Sequence, residues 1–207
     1  MKSKNVISIT STSSDITPSY ILRPATMDDA LEIWTVMDEC YQTLPSKDLF
    51  ICDDLKYVKE ILSSHGFGIV ACDNHGKIVG NLLLKYPGLT AENLGHDVFQ
   101  PICNAFENPA ESMEPCNIPL TSENLNRVLH MDSASVLPCH RGHGLEERMI
   151  AYAETLIDTS KYRYAFATVS PDNIASLKSL KKNGYEVMVT KEKYGNLKRC
   201  IMLKILS

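Results

Sequence analysis

The chain has no run of about 18 apolar residues, and so no stretch that predicts a membrane-spanning helix. It has no CxxC pair either. Seven cysteines stand alone at 40, 52, 72, 103, 116, 139 and 200, which fits reduced thiols in a cytoplasmic protein better than a disulfide framework. Positive charge is not in excess: 21 Lys and Arg against 25 Asp and Glu give a formal net charge of −4, which argues against nucleic acid as a partner. The first residues, MKSKNVISITSTSSDITPSY, contain no apolar core of the kind a secretory signal needs. A phosphate loop of the form GxxxxGK followed by Ser or Thr is missing, and the place of the third glycine in a dinucleotide fingerprint is held by Glu147. Membrane, nucleic-acid and both of these nucleotide-binding classes are thereby set aside.

What is present is enough for one good core: 207 residues, 44% of them apolar. A single domain is expected over residues 19–207, with an insertion at about 86–127. A flexible arm rich in Ser and Thr is expected over residues 1–18. The chain is organised around residues 130–154, HMDSASVLPCHRGHGLEERMIAYAE. His130, Asp132, Ala134 and Val136 alternate with Met131, Ser133, Ser135 and Leu137, which predicts a strand with two distinct faces. Pro138 ends it, Gly142 and Gly144 flank His143, and a helix follows with Leu145, Met149, Ala153, Leu156 and Ile157 on one face. A glycine-rich turn entering a helix gathers free N–H groups and the positive end of the helix dipole, so this spot suits an anion, and a phosphate best. Cys139, His140 and His143 lack a second paired set of ligands, and no metal is expected.

Within VLPCHRGHGL, the run from Arg141 to Gly144 closely resembles the coenzyme A loop of the GNAT N-acetyltransferase superfamily, whose pattern is Arg or Gln, two residues, Gly, one residue, then Gly or Ala. Arg141 takes the first position and Gly144 the fourth, while Glu146 stands at the sixth as a departure. Other stretches resemble the same superfamily. A short strand at residues 20–25 closes on Pro24, and Thr26-Met27-Asp28-Asp29 caps a helix running to about Tyr41, an opening shared by many GNAT domains. A second helix is predicted over residues 53–62. The apolar runs GFGIVAC and KIVGNLLLK flank the turn Asp73-Asn74-His75-Gly76 and predict a hairpin. Beyond the insertion, with prolines at 87, 101, 109, 115 and 119 and short helical pieces at 90–94 and 98–106, the strand YRYAFATV leads to Asn173. That residue begins a helix over 174–182 that stops at Gly184-Tyr185, as in the second GNAT signature. The tyrosine frequent seven residues after that Asn is Leu180 here. Two strands around Lys193-Tyr194-Gly195-Asn196 end the chain.

The resemblance implies an α/β (α+β) fold, with a mixed, mostly antiparallel sheet of about seven strands, splayed between strands 4 and 5 and flanked by helices. It implies transfer of an acetyl group from acetyl-CoA to a primary amine of a small molecule, or of a protein or peptide, by direct attack in a ternary complex. The alternative is a non-catalytic acyl-CoA-binding sensor or accessory domain, which Leu180 and Glu146 favour. Backbone N–H groups of Gly142, His143, Gly144, Leu145, Glu146 and Glu147 are expected to hold the diphosphate. Arg141 is expected to lend charge near the phosphates, Asn173 to join the coenzyme site, and Ala134, Ser135 and Val136 to pair with the pantetheine arm. On the helical wheel Glu146 lies on the polar side, so its side chain is expected to point to solvent. His130 and Asp132 stand where arylalkylamine N-acetyltransferases carry a His-x-His pair, which makes His130, or Asp132 through water, the expected base. With Leu180 unable to protonate the leaving thiolate, Tyr185, Tyr194 and Ser179 are substitutes, and a backbone N–H near Val136 or Leu137 is expected to hold the oxyanion. The acidic residues of the insertion, Glu92, Asp97, Glu107, Glu111, Glu114 and Glu123, either favour a cationic acceptor or simply solvate a loop. No nucleic-acid or membrane partner is expected, and the state expected is monomer or homodimer.

Overall fold

The computed structural model describes residues 19–86 and 126–207. The expected arm, nearly all of the insertion, its helical pieces and its acidic residues lie outside the described residues. The strands are β1 (Ile21–Pro24), β2 (Gly66–Cys72), β3 (Ile78–Lys85), β4 (Val128–Val136), β5 (Tyr164–Val169), β6 (Glu186–Lys193) and β7 (Leu197–Ile205). The helices are α1 (Ala30–Gln42), α2 (Leu55–Glu60), α3 (Leu145–Glu154) and α4 (Ile174–Lys182).

Local chemistry explains most boundaries. The Asp29 carboxylate accepts from the Thr26 N–H at 2.7 Å and takes both arms of the Arg23 guanidinium at 2.7 and 2.8 Å, which ties the end of β1 to the turn that starts α1. Asp54 caps α2 by accepting from the Tyr57 N–H at 2.8 Å, and a π-helical turn, Ile61–His65, carries the chain into β2. In the β2–β3 turn Asp73 accepts from the N–H groups of His75 and Lys77 at 2.9 and 3.0 Å. Asn173 caps α4 by accepting from the Ser176 N–H at 3.2 Å, and Gly184, at φ 83°, stops it. One boundary differs from expectation. α3 ends at Glu154, where the Thr155 hydroxyl donates to the Tyr152 carbonyl at 2.7 Å, so Leu156 leaves the core face at 45% exposure while Ile157 stays buried at 8%.

Among the described residues the sheet has seven strands in the order β1-β2-β3-β4-β5-β7-β6, antiparallel except for the parallel pair β4 and β5. β3 is buried from Ile78 to Leu84, which requires cover on both faces of the sheet. Ile33 and Met37 of α1 and Met149 and Ile150 of α3 pack on it with Ile69, Val79 and Leu82, each fully burying a side chain worth roughly 1.5–3 kcal/mol. Two irregularities matter for function. Met131 pairs with Leu84 and Ser133 with Leu83, so Asp132 is an extra, bulged residue and the simple alternation expected along β4 breaks there. β4 and β5 pair only from Val128↔Tyr164 to Met131↔Ala167, and past that rung the two strands part.

Candidate active site

The parting of β4 from β5 leaves a backbone edge with no strand beside it. The Leu137 N–H donates to the Val79 carbonyl at 2.9 Å, which fixes the phase of the β3–β4 ladder. Leu137 and Ser135 therefore turn their backbone groups toward β3, and Ala134 and Val136 turn theirs to the open side. Of the two oxyanion donors expected, Leu137 is already committed to β3, and the Val136 N–H faces the open side, where the Cys40 thiol is its neighbour. Ser135 borders the cleft but offers it no backbone group.

The open edge leads into the glycine turn. Gly142 and Gly144 hold φ of 82° and 67°, a left-handed conformation that a side chain would strain, and Gly144 is the N-cap of α3. The first bond of the helix runs from the Arg148 N–H to the Gly144 carbonyl at 3.0 Å, so the N–H groups of residues 142–147 find no acceptor among the described residues. A cavity of about 650 Å³ lies over them. Of the residues expected to hold the coenzyme, Ala134, Ser135, Val136, Arg141, Gly142 and Gly144 line it, as do Leu145, Glu146, Glu147 and Asn173. His143 turns its ring away onto Tyr20, with 5.7 Å between centroids, and His140 meets the Tyr20 hydroxyl at 3.0 Å. The Arg141 side chain closes on the Val136 carbonyl at 3.0 Å, covering an edge acceptor that no strand pairs. Lys178 and Lys182 of α4 also border this cavity, Lys182 bonded to Glu147 at 2.8 Å; only the packing of α4 on α3 brings these cations to the loop.

Glu146 does not point to solvent. Its carboxylate is turned inward to α4, where it accepts from the Ser176 hydroxyl, and burial pushes its pKa up against the pull of Ser176 and Ser179. The helical wheel placed it on the polar side of α3, and that side is the one α4 covers.

A second cavity of about 340 Å³ shares Ala134, Glu146 and Asn173 with the first, so the two adjoin along β4. His130 and Asp132 meet there: Nδ1 of the 7%-exposed His130 lies 3.2 Å from Asp132 Oδ1, and its ring packs on Phe166 with 4.8 Å between centroids. His130 Nε2 has no partner among the described residues. Asp132 Oδ2 accepts from the Tyr57 hydroxyl at 2.8 Å and the Ser133 hydroxyl at 3.3 Å. Burial works against the Asp132 charge, but the hydrogen bond and charge of His130, the Tyr57 hydroxyl and the Lys85 cation outweigh it, and its pKa is lowered. Tyr57, Lys85 and Asp53, all on the wall of this cavity, were not singled out in the sequence. The only signal was a second acidic residue beside the α2 cap, which the cap itself does not need.

Asp53 is pushed up to about 6 by burial first and then by the Asp132 charge, with Lys85 opposing. A carboxyl whose folded pKa exceeds its unfolded value stabilises fully below the unfolded value, near 4, and that contribution is lost as pH rises through about 6. Asp53→Asn is accordingly expected to raise stability at pH 7 by about 1 kcal/mol, discounted for partial exposure, and to change little at pH 4. Urea unfolding at the two pH values checks this.

Among the expected substitutes for a general acid, Tyr194 borders the smaller cavity, which the buried Leu180 also lines, with its hydroxyl 3.3 Å from Thr168 Oγ1. Ser179 borders the larger one. Tyr185 is buried in the core, its pKa raised by burial and by Glu154.

No protein-family model matches the chain, and no curated protein does. Solved structures do. The acetyltransferase of the GNAT family from Streptococcus pneumoniae superposes with a TM-score of 0.59 at 15% identity, over 91% of this chain and 100% of that one. The GNAT superfamily phosphinothricin acetyltransferase from Sinorhizobium meliloti, in complex with acetyl-CoA, gives 0.61 at 14% identity, over 91% and 89%. The ribosomal-protein-S18-alanine N-acetyltransferase from Escherichia coli gives 0.61 at 10% identity, over 91% and 95%. The fold is that of the GNAT acetyltransferases. At such low identity the chemistry has to be argued from the chain's own residues.

Proposed function

We propose that the protein is an N-acetyltransferase that moves an acetyl group from acetyl-CoA to the primary amine of a small molecule, with a peptide amine as the second choice of acceptor. One observation carries the reading: an unpaired strand edge runs in a single cleft from the His130–Asp132 pair to the free N–H groups of residues 142–147. The cosubstrate fits both halves. Its diphosphate suits the donors at the start of α3, with Lys178, Lys182 and Asn173 on the opposite wall and Arg141 able to exchange its carbonyl bond for phosphate charge. Its pantetheine amides suit the groups of Ala134 and Val136, as an added strand does.

In the transfer the amine nitrogen attacks the thioester carbonyl carbon, the C–S bond breaks, and the amine gives up a proton. Asp132 holds the proton of its partner imidazole on Nδ1, which leaves the Nε2 lone pair of His130 as the acceptor for that proton. The bulged edge supplies a backbone N–H, that of Val136, to the oxygen as it gains charge. The thiolate, with a pKa of about 8.5, leaves readily and is reprotonated by Tyr194 or water. The described cysteines are free and no helix among the described residues is long and apolar enough to cross a membrane, so we place the reaction in the reducing cytoplasm.

Calorimetry with acetyl-CoA followed by thiol release across an amine panel tests the reading. Heat together with amine-dependent thiol release is the expected result. Heat with no release from any amine turns the reading to an acyl-CoA sensor, and no heat removes both.

A further inference from the structure

Resting on that reading, we infer that the acceptor carries a carboxylate besides its amine, and that Arg199 reads it. Arg199 lies on β7 opposite Lys191 of β6. Its neighbour Cys200 pairs with Val169, the last residue of β5, so Arg199 is the first residue of that stretch with no β5 partner, and what lies beside it is the cleft. The residue is 3% exposed, yet it borders the cavity that holds His130 and Asp132. Nη1 donates to the Lys198 carbonyl at 2.9 Å, while Nη2 is buried with no partner among the described residues. The Tyr194 ring, 5.8 Å from the guanidinium carbon, covers one side of it.

Each carboxyl of this cavity has a partner, whereas the Arg199 guanidinium keeps an idle donor. Asp132 has His130, Tyr57 and Lys85; Asp53 has Lys85; Glu146 has Ser176. Burial lowers the guanidinium's pKa, with the fields of Tyr194 and then Asp48 opposing it. A buried guanidinium with an idle donor is unfavourable until an anion completes its fork, and a carboxylate fits that fork. The ligand is a monoanion, since three carboxyls share the cavity and a dianion would meet net repulsion. It belongs to the acceptor, not the coenzyme, because Arg199 borders the smaller cavity alone, away from the glycine turn. Asp53 and Asp132, which attract a cation, and Arg199, which attracts an anion, line one cavity and thus suit a zwitterion, an amine with a carboxylate on the same molecule.

The test uses α-amino acids and straight-chain ω-amino acids, each against its own carboxamide, with thiol release as the readout. The wild type is expected to favour one or more of the acids over the matched amides by roughly 10- to 100-fold in kcat/KM, through KM, the scale of a hydrogen bond to a charged group. Arg199→Gln is expected to erase that preference, leaving amide turnover and acetyl-CoA affinity unchanged, and Arg199→Lys to restore part of it. Amides turned over as well as acids, or an Arg199→Gln loss shared equally by both, overturns the inference while leaving acetyl transfer standing. Should no amine be acetylated, calorimetry of the same acids on the coenzyme A complex decides. Heat lost in Arg199→Gln sustains the carboxylate site although the transferase reading has failed, and no heat overturns it.

Discussion

Replacing His130 by alanine is expected to lower kcat by about 10²- to 10⁴-fold, with acetyl-CoA affinity close to wild type. The size follows from what the residue is asked to do. An alkylamine with a pKa of about 10.4 is unprotonated in about one molecule in 2,500 at pH 7, a handicap of about 4.6 kcal/mol that a base or a desolvating pocket must offset. His130 Nε2 is buried beside Asp132 with no partner among the described residues, while Asp132 is held ionised by its own partners and Tyr57 is kept protonated by burial and by the Asp132 charge. Asp132→Asn, which loses the charge but keeps the shape, is expected to cost about 10- to 100-fold by leaving the imidazole without its orienting partner. A purely structural role for His130 would lower turnover of every amine alike. A base role has a different signature: the deficit of His130→Ala shrinks for weakly basic amines and at high pH, where the acceptor is already deprotonated. Parallel pH–rate profiles for the variant and wild type, offset by a constant factor with all amines, would remove His130 from the chemistry.

Much of the fold was legible in the sequence because its signals are local. Thr26 with Asp29, Asp73 in the hairpin turn, Asn173 and Gly184 each act within four residues of themselves or mark a single backbone position, and each stands where expected. The seven strands and the splay between β4 and β5 followed from the resemblance of two spaced motifs. What was not legible depends on neighbours far along the chain. The bulge at Asp132 is a one-residue change of register against β3, and hydrophobic alternation alone does not reveal it. The Tyr57 hydroxyl reaches Asp132 across 75 residues, and Arg199 is placed by where β5 happens to end. Nothing in the immediate surroundings of either residue in sequence marks it as part of a cleft.

Glu146 is where local reasoning failed with a measurable consequence. Glu146→Gln is expected to tighten acetyl-CoA binding by roughly 10- to 100-fold at pH 8. Its backbone N–H belongs to the group that suits the diphosphate, while its carboxylate sits in the wall shared by the two cavities, bonded to Ser176. One unit of like charge across a helix turn, at an effective dielectric near 20, is worth roughly 2 kcal/mol. Glutamine keeps an oxygen for the Ser176 hydroxyl and removes the charge, so the gain isolates electrostatics from packing. The sign with pH follows from the raised pKa. Below it the carboxyl is neutral and the diphosphate meets no opposition; as pH rises through it the charge appears and affinity falls. Binding of the anion lifts that pKa further, so the wild type takes up a fraction of a proton on binding acetyl-CoA. Calorimetry in buffers of different ionisation heat would register this as a buffer-dependent enthalpy in the wild type and a much smaller dependence in the variant. Weaker binding by Glu146→Gln would instead make the carboxylate a hydrogen-bond acceptor for the coenzyme, and the departure from the glycine pattern would then be a feature of recognition, not a burden on it.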